Sequence, residues 1–265
     1  MLPLVLALAV SALAPAYSPA REAQLSTVTI GGLTASGRSG SAEFGAGEIV
    51  ARRSDGTLLV LTAKHVIADL SAPHVYLRGD VPTGTWVQHF FSPDGGHEAQ
   101  VVATARDEDL ALVAFRPAPG DRYAIARFGV ARPASGTIVG HPYGAAWTTS
   151  AFALIDAPSG TLIVRCTHCG PGDSGGGLFD GDGNLAGIVI ERQDVVQHGH
   201  DVATGVFKAI ALAPVQRFVA SVGVHGGAAT RLLAERAPAA RGIPSYAVNS
   251  SVWARFNAAR GSAGP

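Results

Sequence analysis

The sequence predicts an all-β fold made of two strand-rich halves, and three observations carry that expectation. Across residues 26–210 the chain runs in short apolar or alternating segments separated by Gly, Pro, Asn and Asp, the sequence form of a β-sandwich or barrel. A Gly- and Pro-rich stretch at 117–135 parts those segments into two sets of similar size. Helical periodicity is scarce before residue 213. With 265 residues, 47% of them hydrophobic, the chain can fill a sizeable core. Basic and acidic residues balance at 20 each, so no overall field draws the protein toward nucleic acid or an anionic membrane.

Residues 1–20, MLPLVLALAVSALAPAYSPA, hold an apolar run of roughly 16 residues that ends in small residues at Ala14-Pro15-Ala16 and again at Ser18-Pro19-Ala20. That is the layout of a secretory signal peptide, although the basic leading segment is missing. The run falls short of the roughly 20 residues of a membrane-spanning helix, and an uncleaved anchor is the alternative reading. A secreted or periplasmic protein with no stable membrane span after signal cleavage is expected, its mature chain starting near Tyr17 or Arg21. Strands are expected at 47–52, 57–62, 74–78, 85–91, 99–105 and 110–115, then at 136–140, 148–155, 161–165, 177–179, 186–192 and 205–209. Val215, Phe218, Val219 and Val222 recur at helical spacing and predict one closing helix over 213–222. Residues 223–265 turn to Gly, Ala, Arg, Pro and Ser, and a poorly ordered tail is expected there, with Tyr246, Val252, Trp253 and Phe256 available for docking.

Three short motifs carry chemistry. A serine hydroxyl is a weak nucleophile near neutral pH, so it needs a histidine to take its proton and a carboxylate to orient that histidine. "LTAKHV" places His65 after an apolar strand and before a short helical turn at 66–70. "DEDLALVAF" places Asp109 at the mouth of another apolar strand, where a buried carboxylate is expected. "GPGDSGGGL" sets Ser174 among glycines, whose left-handed and tight conformations can aim backbone amides at a developing oxyanion. Gly172 and Ser174 are the expected amide donors. Asp173 is expected to hold the loop through a buried ion pair or hydrogen bonds.

These motifs resemble the trypsin-like (chymotrypsin-fold) serine proteases: "TAKHV" is similar to T-A-x-H, "DLALV" to D-[IL]-A-[LV] and "GDSGGG" to G-D-S-G-G. The separations, 44 residues from His65 to Asp109 and 65 from Asp109 to Ser174, resemble the compact bacterial branch. The resemblance runs over residues 45–222. It implies two six-stranded antiparallel β-barrels, at about 26–116 and 136–210 within a domain of 26–222, with the active site in the cleft between them. "LAGIVIER" and "TGVFKAI" resemble the two strands beside the family's specificity pocket, which assigns Ile190, Arg192 and Gly205 to its walls. His168, six residues before Ser174, falls by alignment at the pocket base. An imidazole there would not select cations as an aspartate does, whereas Arg192 would favour an acidic side chain or else be an exposed loop cation. "TIGGL" is only a faint echo of the I-V-G-G activation sequence, and no basic residue precedes Ile30. Permanent activity or another trigger is therefore expected.

Rival readings remain at several residues. Asp107 lies two positions before Asp109 on the same strand face, and the family pattern favours Asp109. The spacing Gly172-x-Ser174-x-Gly176 also fits an α/β-hydrolase elbow, but "SGGGLFDGDGN" does not start the helix that elbow needs, and acid and histidine would have to follow the serine. Cys166 and Cys169 flank His168 in a C-x-x-C. A zinc site would need further ligands from His168, His141, His198 or His200, and a redox site would need a βαβ setting. A local disulfide is the first reading of this pair in an exported chain, and free buried thiols are the second. The expectation is a serine endopeptidase that cleaves a protein or peptide through an acyl-enzyme, with no cofactor, no metal and no nucleic-acid partner, losing activity in acid as His65 protonates. The alternative is a protease-fold protein that binds without cleaving.

Overall fold

The computed structural model describes residues 19–34, 42–78, 96–145, 147–197 and 200–223. Helix α1 (Pro19–Ser26) leads into β1 (Thr27–Leu33), β2 (Ala42–Arg52), β3 (Leu58–Thr62), helix α2 (Lys64–Ala68), β4 (His74–Leu77), β5 (His97–Thr104) and β6 (Ala111–Phe115). The second half holds β7 (Ser135–Gly140), β8 (Thr148–Asp156), β9 (Thr161–Arg165), β10 (Gly177–Phe179), β11 (Leu185–Gln197) and β12 (His200–Ala211), closed by helix α3 (Leu212–Ser221). Each half is a closed six-stranded barrel, in the orders β1-β2-β3-β6-β5-β4 and β10-β11-β12-β9-β8-β7, and every pairing is antiparallel. Closure gives each described strand a hydrogen-bonded neighbour on both sides. Register shifts at Ile49/Ala51 in β2 and Val101/Ala103 in β5 supply the bends that a small barrel requires.

Two differences from the sequence expectation concern the first barrel. Its sixth strand is β1, which pairs Val28 with Gly47 on one side and with Leu77 on the other. The strand expected at 85–91 lies outside the described residues, as do residues 1–18 of the expected signal peptide and 224–265 of the expected tail. Helix α1 was not expected at all. It starts on Pro19, whose fixed φ suits a first helical turn, and it buries Ala23 and Ser26. The β11–β12 hairpin also runs well past its expected ends, pairing Val195 with Val202 and Gln197 with His200.

Packing explains why the two halves sit together. Leu58 and Val60 of β3 point into the first barrel with Val28, Ile30, Val113 and Phe115, while Leu59 and Leu61 point outward into a second cluster with Phe179, Leu185, Ile188 and Val215. All five residues of β3 are buried, so the strand reads as a continuous apolar run rather than an alternating one. The second barrel fills with Ile138, Phe152, Leu162, Val164, Leu178, Val189 and Phe207. Helix α3 lays Val215, Phe218 and Val219 onto the cluster between the barrels. No helix among the described residues is long and apolar enough to cross a membrane.

Candidate active site

Three chain segments that leave the inter-barrel core carry the motif residues: His65 follows β3, Asp109 precedes β6, and Ser174 precedes β10. The start of α2 has no side-chain cap of its own, since its N-cap is Ala63. Asp109 fills that role from another segment. Its Oδ1 accepts the His65 amide at 2.9 Å, and its Oδ2 pairs with His65 Nδ1 at 2.6 Å. The Lys64 amide donates to the Asp109 carbonyl at 3.3 Å, which fixes the carboxylate-bearing turn against the helix. Burial raises the cost of ionising Asp109, yet hydrogen bonds from the His65 ring and amide outweigh it and hold the carboxyl below its ordinary 3.8. An ionised carboxylate only accepts, so Nδ1 carries the proton and Nε2 is left with a free lone pair. Asp109 is 29% exposed rather than deeply buried as its motif suggested. Asp107 is exposed, and Asp109 is the residue bonded to His65.

Ser174 is placed by its backbone. Its carbonyl accepts the Ala46 amide of β2 at 2.8 Å, and the next amide, from Gly175, donates to Val189 of β11 at 2.8 Å. Gly45 is where the histidine and serine segments meet: a Cβ there would stand 2.6 Å from Val66 and 2.7 Å from the Ser174 carbonyl oxygen. No hydrogen bond joins Ser174 to His65 among the described residues. Ahead of the serine, Gly170–Asp173 forms a type II β-turn with Pro171 and Gly172 at its centre, Gly172 at φ 102° and the Asp173 amide bonded to the Gly170 carbonyl at 3.1 Å. The amides of Gly172 and Ser174 donate to no described protein group. Asp173, 1% exposed, accepts the Gly170 amide at 2.8 Å and has no ion pair among the described residues. Burial pushes its carboxyl up to about 7, against the backbone hydrogen bonds of Gly170 and His141.

The sequence profile of the trypsin-like peptidase domain matches residues 45–188, just over half of the chain. The chain belongs to the trypsin-like peptidase family. It is a serine endopeptidase by that membership, and the two closed barrels are that family's fold. Solved structures agree on the fold. A serine endoprotease from Yersinia pestis superposes with a TM-score of 0.59 at 20% identity, over 81% of this chain and 69% of that one. The HtrA-type protease AlgW with a tripeptide superposes at 0.56 and 20% identity, over 80% of this chain and 64% of that one, so the peptidase spans under two thirds of the length of AlgW. No curated protein sequence matches the chain.

Around the peptidase's glycine turn, Cys166 and Cys169 are joined in a disulfide with their Cα atoms 5.6 Å apart, and both pack into the second barrel's core. His168 between them is exposed, its carbonyl accepting Ser150 Oγ at 3.4 Å. Gly205 takes φ 68° and accepts the Cys166 amide at 2.8 Å. Ile190 packs against the first barrel's core and the inter-barrel cluster. Arg192 is not a free cation: its Nε donates to Asp194 at 2.9 Å, and its Nη2 pairs with the same carboxylate. Among the described residues no three His, Cys, Asp or Glu side chains gather as a metal site.

Sequence reasoning missed two buried ionisable groups at the seam. Glu48 of β2 accepts Thr27 Oγ1 at 2.9 Å, Ser26 Oγ at 3.2 Å and the Gly177 amide of the second barrel at 2.8 Å. Burial drives its carboxyl well above the usual value, and these three donors only partly oppose the shift. His141 reaches the other way, from the second barrel to β1, with Nε2 donating to the Val28 carbonyl at 3.3 Å and Nδ1 accepting the Trp147 amide at 3.1 Å. Burial lowers it to about 4, so it stays neutral. A lone glutamate on an apolar strand was the only signal for the first, and the second entered the sequence reading only as a possible zinc ligand.

Proposed function

We propose that the peptidase is exported and cleaves protein or peptide substrates through a triad of His65, Asp109 and Ser174. The observation that carries the reading is the double hydrogen bond from His65 to Asp109, 2.6 Å from the ring and 2.9 Å from the amide, beside the glycine turn that bears Ser174. In this reading Nε2 of His65 takes the Ser174 proton while Oγ bonds to the scissile carbonyl carbon, whose electron pair moves onto oxygen. The amides of Gly172 and Ser174 receive that oxyanion. His65 then gives the proton to the departing amine as the C–N bond breaks, leaving an acyl-enzyme that water hydrolyses by the same steps. Asp109 holds the ring and stabilises the imidazolium. Export is supported by the apolar run at 1–20 and by the Cys166–Cys169 disulfide, a bond favoured in oxidising compartments.

The test is covalent labelling with a fluorophosphonate probe. Purified protein is expected to label at Ser174, and His65→Ala to slow labelling by on the order of 10³-fold or more. Folded protein that stays unlabelled sinks the triad and leaves the alternative, a protease-fold protein that binds peptide without cleaving it.

A further inference from the structure

The closing helix leaves a groove against the first barrel. On α3, Pro214, Arg217, Phe218 and Ser221 are spaced i, i+3, i+4 and i+7, so they share one helix face. Opposite that face stands the turn after β5, with Ala105, Arg106 and Glu108, and the space between is a groove of about 350 Å³. That is the small end of ligand clefts, about 300–1,000 Å³, with room for one large side chain and its flanking backbone. Pro214, Phe218 and Ala105 are buried and give the lining its apolar part. Arg106 and Arg217 are exposed, and neither guanidinium pairs with a carboxylate among the described residues. Glu108 is the one acid in the lining, so the groove combines apolar surface with an excess of positive charge.

The same turn carries Asp109 further along. The Ala105 amide donates to the Leu110 carbonyl at 2.8 Å, closing the loop, and Lys64 Nζ, beside His65, donates to the Ala105 carbonyl at 3.1 Å. Groove and triad residues are therefore built on one short segment. Charge decides between occupants. Residues 224–265 carry five arginines against a single acid, Glu235, the wrong sign for this lining. A second copy of the chain brings equal numbers of basic and acidic groups and no net complement. A peptide with carboxylates beside an aromatic side chain supplies both halves, acceptors for the planar guanidiniums and a ring for Phe218 and Pro214.

We propose that this groove docks an acidic, aromatic-bearing segment of the substrate away from the scissile bond, so that such substrates are held at two points. The inference rests on the serine-peptidase reading above. The probe is a fluorescein-labelled hexapeptide of alternating glutamate and phenylalanine, followed by anisotropy on the full chain carrying Ser174→Ala. Saturable one-to-one binding is expected, weakened about fivefold or more by Arg106→Glu and by Arg217→Glu, and unchanged by Arg132→Glu, an exposed arginine outside the groove. Arg106→Gln and Arg217→Gln, with a loss of about twofold or more, replace any reversal that misfolds. Versions with lysine for glutamate or serine for phenylalanine are expected to bind about 10-fold more weakly; no binding, equal binding by either version, or no effect of the groove variants overturns the proposal. A benzophenone on Ser221→Cys is expected to cross-link the peptide, whereas cross-links only to residues beyond 230 of the same chain, or to a second copy, assign the groove to those occupants and overturn it. Linked flexibly to a peptide that the wild type cleaves, the same segment is expected to lower KM about 10-fold with kcat within about threefold, a gain that Arg217→Glu loses. Docking without that gain overturns the substrate role. Wild-type protein that neither cleaves nor labels with fluorophosphonate overturns the serine-peptidase reading, while absent docking on protein that does label overturns this inference alone.

Discussion

Asp173 lies next to Ser174, carries no ion pair among the described residues, and is stabilised as a carboxylate only by backbone amides. Its carboxyl is raised to about 7 from 3.8, so between those values the folded protein keeps a proton that the unfolded chain releases. Stability from this group is therefore complete below about pH 4 and is lost as pH rises toward 7. Asp173→Asn keeps the shape without the titration. Its stability relative to wild type is expected to rise across that window by up to about 1.4 kcal/mol per pH unit, read by urea unfolding. A difference that stays flat with pH removes the idea. His141, lowered to about 4, has the opposite slope, losing stability as pH falls from 6.5, so the mutant comparison rather than the bare profile isolates Asp173. At this scale the sequence was informative for residues with a motif and silent for those without one. His65, Asp109 and Ser174 stand in recognisable contexts, while Glu48 and His141 gain their character only from what buries them.

Strands and turns were legible where a local pattern is enough. Most expected strands match observed ones to within a few residues, because apolar runs bounded by Gly, Pro and Asp have few other ways to bury themselves. Helix α1 was missed because PAREAQLS is short and weakly amphipathic; its stability comes from distant partners, with Glu22 pairing Arg127 at 3.0 Å and Gln24 donating to Thr149 at 2.9 Å. β1 was missed because its two glycines weaken a strand pattern that both neighbours nevertheless complete. The glycine run after Ser174 is dictated by close approach as well as by φ. At Gly175, with φ 84°, a Cβ would come 2.0 Å from the Ala46 carbonyl and 2.3 Å from Thr62 Oγ1. Gly175→Ala is expected to cost about 3 kcal/mol or more, while Gly181→Ala, with nothing within 4 Å of its Cβ, stays within about 0.5 kcal/mol of wild type. Equal urea midpoints for the two variants would contradict this.

The two barrels share one continuous seam. Leu59 and Leu61 of the first meet Phe179, Leu185 and Ile188 of the second, and Trp147 Nε1 donates to Thr27 of β1 at 2.7 Å. Glu48 ties three segments across the same seam, and its buried carboxyl would be left without its Gly177 partner if the barrels parted. The described protein is therefore expected to unfold in a single cooperative transition, with tryptophan fluorescence and far-UV circular dichroism giving coincident midpoints in urea. Two separated transitions would mean that the barrels are stable apart and that the seam contributes little.

The sequence by itself determined the all-β class, the division into two halves and the identity of the motif residues, because periodicity and turn chemistry are local and the three motifs keep their order along the chain. Tertiary structure decided what no segment contains alone. It bonded the Asp109 carboxylate twice to His65, brought the serine and histidine segments together at Gly45, tied Arg192 to Asp194, and left Asp173 buried among amides. Each of these depends on burial and on distances between residues far apart in sequence. Desolvation, the largest cause of the shifts at Glu48, His141 and Asp173, exists only once the barrels have closed on each other.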